Sequence, residues 1–252
     1  MKLESFALSD VGKRREKNED RFFSSESLSL FVVADGMGGH VGGELASRLA
    51  VETIGQVIQQ LHDDPEMTLQ ADEPVKPGDA KAWLRYAIRM ANLRIFEEAC
   101  RNPNLRGMGT TTVAVLSKND KICFANVGDS RIYRIRNRKI EQLSQDHSLV
   151  GEQMRAGMIA PEEARGHRLK NIITRSVGFQ ADVEVDADSR GLKKDDLFIL
   201  CSDGLTNHLS DKELLTVAEN NSLKEICHRY IDIANERGGE DNITVIVLKA
   251  VD

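Results

Sequence analysis

The sequence predicts an α+β fold around one core, and three observations carry that prediction. Strand-like runs occupy both ends of the chain and its middle, two pairs of helical stretches interrupt them, and no repeat, low-complexity tract or long charge block divides the chain into modules. At 252 residues with 40% hydrophobic content, the chain is long enough for one sizeable core, so a single domain over residues 1–252 is expected.

In order, KLESFALS and RFFSSES read as strands, and SLFVVAD is almost continuously apolar, as expected of a strand buried on both faces. A glycine-rich loop, GMGGHVGG, follows. The period then changes, with Leu45, Leu49, Ile54, Ile58 and Leu61 on one helical face. Residues 62–79 are polar, carry three prolines and read as a surface connection. Asp79 is the expected N-cap of a second helix bearing Leu84, Ile88, Ala91 and Ile95. From Gly109, TTTVAVLS, KICFANVGD, RIYRIRN and KIEQLS form a predicted antiparallel meander. Residues 147–170 have little apolar content beyond a short helix from Ser148 to Arg155 stopped at Gly157, and they read as a mobile flap. NIITRSVG, VEVDA and DLFILCSD are predicted strands. Two helices follow, whose starts carry capping boxes (Ser210 with Glu213, Ser222 with Glu225), and NITVIVLKAV closes the chain as a strand.

Composition narrows the function. Thirty-four basic against 40 acidic residues give a formal charge of −6, which disfavours binding to nucleic acid or an anionic membrane surface. The start MKLESFALSD has no apolar h-region, and no run approaches the ~18 apolar residues of a membrane span, so a cytoplasmic protein without membrane insertion is expected. The four cysteines lack paired C-x-x-C spacing and read as reduced thiols. Cys100 to Arg106 matches the C-x5-R spacing of cysteine-dependent phosphatases. That chemistry needs a loop of backbone N–H groups around phosphate, whereas this one holds a proline, has no internal glycine and follows the helical IFEEA.

The chemistry-bearing pattern is aspartate beside glycine. Three buried-looking strands run into Asp35 (FVVADG), Asp129 (FANVGDS) and Asp203 (FILCSDG), and Asp241 begins the last strand in GGEDNITVIV. Each could be only a turn. Converging carboxylates, however, repel one another and imply bound cations, and oxygen-only ligands favour Mg2+, Mn2+ or Ca2+ over Zn2+. SDVGKRREKNED adds an arginine and two carboxylates before a strand, and an arginine fork suits phosphate.

These segments resemble the metal-dependent protein phosphatases, the PPM or type 2C family. The matching segments are G-x-x-R-x-x-N-E-D at Gly12–Asp20, DGMGGHVGGE at Asp35–Glu44, MGTT at Met108–Thr111 and ANVGDSRIY at Ala125–Tyr133. They continue in order with QDHS at Gln145–Ser148, ITRSVG at Ile173–Gly178, CSDGL at Cys201–Leu205 and EDNITVIV at Glu240–Val247. The compact form with DGMGG resembles bacterial members.

The resemblance implies a four-layer αββα sandwich, two central antiparallel sheets flanked by helix pairs. It implies that Asp35 bridges two Mn2+ or Mg2+ ions, that the Gly36 carbonyl binds one, and that Asp203 and Asp241 bind the other. Asp20 is implied to act through metal-bound waters, Asp129 with Asp203 at a weaker third metal near the flap, and Arg15 as the clamp on substrate phosphate. Two cations ~3.5–4 Å apart would lower the pKa of a bridging water, so that hydroxide attacks phosphorus in line without a covalent enzyme intermediate.

One departure is Met37, where the eukaryotic pattern commonly places a histidine as proton donor. It leaves the general acid open between a metal-bound water and His40. The implied activity is hydrolysis of phosphoserine and phosphothreonine in proteins, opposing serine/threonine kinases. The alternatives are a catalytically silent phosphoprotein-binding module of the same fold and the cysteine-dependent phosphatase. The G-x-G-x-x-G reading of the loop fails at Val41, and no Lys-Ser/Thr completes a P-loop.

Overall fold

A computed structural model describes residues 1–38, 42–65, 67, 78–160, 163 and 167–252. Two antiparallel sheets dominate it. The first comprises β1 (Lys2–Asp10), β7 (Arg131–Arg136), β8 (Lys139–Gln142), β10 (Leu197–Cys201) and β11 (Ile243–Val251), in the order β1-β11-β10-β7-β8. The second comprises β2 (Asp20–Ser25), β3 (Leu30–Met37), β5 (Thr112–Lys118), β6 (Lys121–Val127) and β9 (Asp186–Gly191), in the order β2-β3-β5-β6-β9. The short β4 (Gly109–Thr110) pairs with the end of β3.

The period of two along the central strands builds the layers. In β3, Leu30, Val32 and Ala34 face one apolar cluster while Phe31 and Val33 face another; in β11, Val245 and Val247 part from Ile246 and Leu248 in the same way. The shared cluster lies between the sheets, with Phe31, Val113, Val115 and Phe124 from one and Ile132, Phe198, Leu200 and Ile246 from the other. The outer face of the second sheet is covered by α1 (Gly42–Asp63) and α2 (Ala80–Arg101) through Ile54, Ile58, Trp83, Leu84 and Ile88. The outer face of the first is covered by α5 (Asp211–Ala218) and α6 (Leu223–Glu236) through Leu214, Ile226, Tyr230 and Ala234. The result is the four-layer αββα sandwich. Between these pairs lie the short α3 (Leu149–Arg155) and the one-turn α4 (Asp203–Thr206).

Local signals hold at the helix starts. Asp79 accepts from the backbone N–H groups of Lys81 (3.0 Å) and Ala82 (3.3 Å), Ser148 caps α3, and both capping boxes form in full. Most of the connection at 62–79 lies outside the described residues, as do 161, 162 and 164–166 of the expected flap.

Four strand expectations need correction. The meander expected from Gly109 is divided, with β5 and β6 paired in the second sheet and β7 and β8 in the first, because the chain crosses between sheets at the Gly128 turn. NIITRSVG is not a strand: only isolated bridges form, Ile173 with Ser148 and Val177 with Thr110, because the chain leaves β4 at Gly178, where φ is +91°. The strand expected at 183–187 lies instead at Asp186–Gly191, where its ladder with β6 runs from Asn126 opposite Asp186 to Lys121 opposite Gly191. The side chains of Val183 and Val185 pack into the α1–α2 cluster instead. TTTVAVLS is split at Thr111 into β4 and β5.

Candidate metal centre

The site begins with strand pairing. In the β2–β3 ladder, Asp20 lies directly opposite Asp35, an arrangement of like charges that destabilises a sheet unless something compensates it. Asp35 lies within β3 rather than at its end. Its N–H donates to Thr111 Oγ1 (3.1 Å), and its carbonyl accepts from the Thr110 hydroxyl and the Thr111 N–H (both 2.8 Å). Gly36 is required by close approach, since a Cβ there would stand 2.1 Å from the Gly43 carbonyl oxygen and 2.7 Å from that of Glu19.

The first sheet supplies the other carboxylates. Asp203 opens α4 two residues beyond β10, and its Oδ2 accepts from Asn207 Nδ2 (2.9 Å). Asp241 stands two residues before β11, its Oδ1 capped by the Asn242 N–H (2.9 Å) and its Oδ2 by the Arg15 guanidinium (2.8 Å). The nearly buried Asn242 donates to the carbonyls of Val11 and Lys17 and accepts from the Glu19 N–H, which fixes the β1–β2 loop carrying Arg15. Asp129 follows the Gly128 turn, whose N–H donates to His147 Nδ1 (3.1 Å).

Arg15, Asp35, Gly36, Asp129, Asp203 and Asp241 line one cavity of about 1120 Å³. Asp20 does not line it and is 1% exposed. The Ser202 hydroxyl donates to its Oδ2 (2.8 Å), and its Oδ1 is buried with no partner. Asp129 and Asp203 also border a second cavity, of about 310 Å³, beside Lys170 and Asn171. His40 lies outside the described residues.

Burial and mutual repulsion disfavour the charged forms of this cluster. Burial first, and then the charges of Asp20, Asp203, Asp129 and Asp241, hold the Asp35 carboxyl well above the ordinary range. Burial pushes Asp20 up to about 7, helped by Asp203 and Asp241 against the Ser202 hydrogen bond. Asp129 rises to about 8 through burial and the charges of Asp203 and Asp146, and Asp203 rises through burial and Asp241. Arg15 is shifted up, chiefly by its hydrogen bond to Asp241.

Among the described residues no three His, Cys, Asp or Glu side chains are already gathered about one point as a metal cage. The donor chemistry nevertheless fits a hard divalent cation. Every candidate ligand is an oxygen, Arg15 on Asp241 is the one cation ion-paired with these carboxylates among the described residues, and the orphaned Asp20 Oδ1 is an acceptor waiting for a proton-bearing or positively charged partner.

The family model described as Protein phosphatase 2C matches residues 12–246. This chain belongs to the protein phosphatase 2C family. Among curated relatives of this phosphatase 2C protein, the serine/threonine phosphatase stp of Listeria welshimeri is 38% identical over 244 residues, covering 95% of this chain and 93% of that one. The solved serine/threonine phosphatase PstP/Ppp of Mycobacterium tuberculosis superposes with a TM-score of 0.89 at 33% identity, covering the whole of both chains. A structure of the catalytic domain of the serine threonine protein phosphatase PstP in complex with two manganese ions gives 0.86 at 34% identity, covering 100% of this chain and 99% of that one.

Four supporting residues of this phosphatase 2C site were not singled out from the sequence: Thr111, Ser202, Asn207 and Asn242. Asn242 and Ser202 sit beside aspartates in EDN and CSD, and that adjacency is the one signal available for them. Asn207 reaches Asp203 through its side-chain amide and Thr111 reaches the Asp35 backbone through its hydroxyl, contacts set by the turn of α4 and the pairing at β3 that no short motif displays. Gly204 illustrates how tightly α4 is placed, since a Cβ there would stand 2.0 Å from the Asn242 carbonyl oxygen. Gly204→Ala is therefore expected to lower stability by roughly 1–3 kcal/mol, read as a lower urea midpoint, with a weaker response of activity to Mn2+ as Asp203 shifts.

Proposed function

We propose that this protein hydrolyses phosphoserine and phosphothreonine monoesters in proteins, with divalent cations held by its aspartates. The observation that carries the reading is the cavity itself, where carboxylates from two sheets converge and, among the described residues, only Asp241 of them is ion-paired, to Arg15. In this assignment Asp35 would be shared by both cations, the Gly36 carbonyl would bind one, Asp203 and Asp241 would bind the other, and Asp20 would act through water. Asp129 would join Asp203 at a weaker third. Mn2+ is the cation named with a solved relative, and Mg2+ suits the same oxygen donors.

When bound, a cation pair supplies an activated water and screens the phosphoryl charge. The remaining work belongs to the chain. Arg15 exchanges Asp241 for two phosphate oxygens, which its planar fork matches. Hydrolysis forms one bond from water oxygen to phosphorus and breaks the bond to the serine or threonine oxygen, which leaves with a proton. A water or His40 donates that proton, since Met37 cannot. Residues 1–252 act as one domain with a flap at 147–170. The partners are phosphorylated proteins, among them targets of a serine/threonine kinase that this enzyme opposes in a bacterial cytoplasm. No helix among the described residues is long and apolar enough to cross a membrane.

Cys100 lies in the last turn of α2, a free thiol on a helix rather than in a phosphate-cradling loop. The test is phosphate release from a phosphothreonine peptide with and without Mn2+, by wild type and Cys100→Ser. Release that needs Mn2+ and is unchanged in Cys100→Ser is expected. Metal-independent release lost with Cys100 would reverse the assignment, and silence of the wild type on several phosphopeptides would favour a binding module.

A further inference from the structure

The cavity extends well beyond the aspartates, and two of its walls are rigidly presented loops that each display exposed side chains the hydrolytic chemistry does not use. One wall is the segment after Gly178. The buried Asn92 of α2 accepts from the Gly178 N–H (2.6 Å) and donates to the carbonyls of Gln180 (3.0 Å) and Ala181 (3.1 Å), so both ends of its amide are spent on this loop. A side chain at Gly178 would strike Ile95. The loop is thus fixed, and what it displays into the cavity is Phe179, 57% exposed. A large apolar ring held in water by a fully satisfied scaffold is costly to the free protein and is offset when a ligand covers it.

The other wall is the β1–β2 loop, fixed by Asn242 and by the N–H groups of Lys13 and Arg14 on the Gly239 carbonyl (2.7 and 3.1 Å). It displays Arg14 and Lys17 into the same cavity, both exposed and, among the described residues, without an ion pair. Arg15, between them, is the one occupied by Asp241.

We propose that this cavity selects phosphopeptides carrying an apolar residue on one flank of the phosphorylated side chain, seated on Phe179, and a carboxylate on the other, facing Arg14 and Lys17. The proposal rests on the phosphatase reading above and names its substrate class. The apolar contact supplies discrimination through area removed from water, and the cations supply it through charge complementarity.

The test uses the full chain with Mn2+, para-nitrophenyl phosphate, and phosphothreonine peptides of one core flanked by Leu and Glu, in both orders, or by Ala and Lys. Phe179→Ala is expected to lose roughly fivefold to tenfold in kcat/KM on the better Leu/Glu peptide, mostly in KM, with Phe179→Leu restoring part of it. Arg14→Glu with Lys17→Glu is expected to lose a similar factor on that peptide. Neither variant should alter para-nitrophenyl phosphate hydrolysis or the Ala/Lys peptide by more than about twofold. Equal rates of the wild type on all peptides, or variant losses equal on matched and unmatched peptides, would overturn the selectivity while leaving hydrolysis intact. No wild-type hydrolysis of any substrate would overturn the reading beneath it.

Discussion

Asp35→Asn is expected to lower kcat/KM on a phosphothreonine peptide by about a thousandfold or more and, in the same protein, to raise stability when divalent metal is removed. The two effects share one cause. Asp35 opposes Asp20 across the β2–β3 ladder and shares a cavity with Asp129, Asp203 and Asp241. Its charge is therefore what a cation needs and what the metal-free fold resists. An amide keeps the shape while removing the anion, so transition-state stabilisation supplied through bound cations is lost. Relief of an uncompensated charge should stabilise the metal-free protein by ~1–3 kcal/mol, read as a higher urea midpoint at pH 8 in chelator. Loss of activity with loss of stability would mean instead that Asp35 is a structural residue.

The second large effect is the pH dependence of the metal-free protein. Asp20, at about 7, and Asp129, at about 8, are held above the ~3.9 of an unfolded aspartate, so between these values the native state binds more protons than the unfolded one. The slope of unfolding free energy with pH is then negative: this contribution is fully present below about pH 4 and is lost progressively as pH rises to about 8. Thermal melting in chelator should show the midpoint falling between pH 5 and 8, by an amount corresponding to a few kcal/mol, with a shallower fall in Asp20→Asn. Because cations bind the deprotonated carboxylates, the increment that Mn2+ adds to the melting temperature should grow over the same window. A flat profile, or identical slopes in wild type and Asp20→Asn, would contradict the account.

How much of this was legible in the sequence depends on the range over which each feature is encoded. The α+β class follows from periodicity along single elements, as in β3, where Leu30 to Ala34 are apolar on both faces, whereas the αββα layering comes only with the resemblance to type 2C phosphatases. Helix starts at Asp79, Ser148, Ser210 and Ser222 are local and were readable as such. Strand ends were less so. Val183 and Val185 have strand character, yet β9 starts at Asp186 and these two side chains pack into the α1–α2 cluster, a tertiary contact that the local pattern does not display. For the site, the aspartates stood out through their glycine neighbours, and the resemblance to type 2C phosphatases grouped them. What no single segment shows is that Asp20 and Asp35 face each other, that Ser202 reaches Asp20, or that Asn242 clamps the loop of Arg15. Those facts belong to the register between strands and to the meeting of two sheets.

The central claim is that these aspartates bind divalent cations together, and calorimetric titration of Mn2+ into chelator-treated protein tests it most directly. Two ions bound per wild-type chain, both lost or severely weakened in Asp35→Asn and one retained in Asp241→Asn, is the predicted result. Wild-type stoichiometry and affinity unchanged in Asp35→Asn would contradict it.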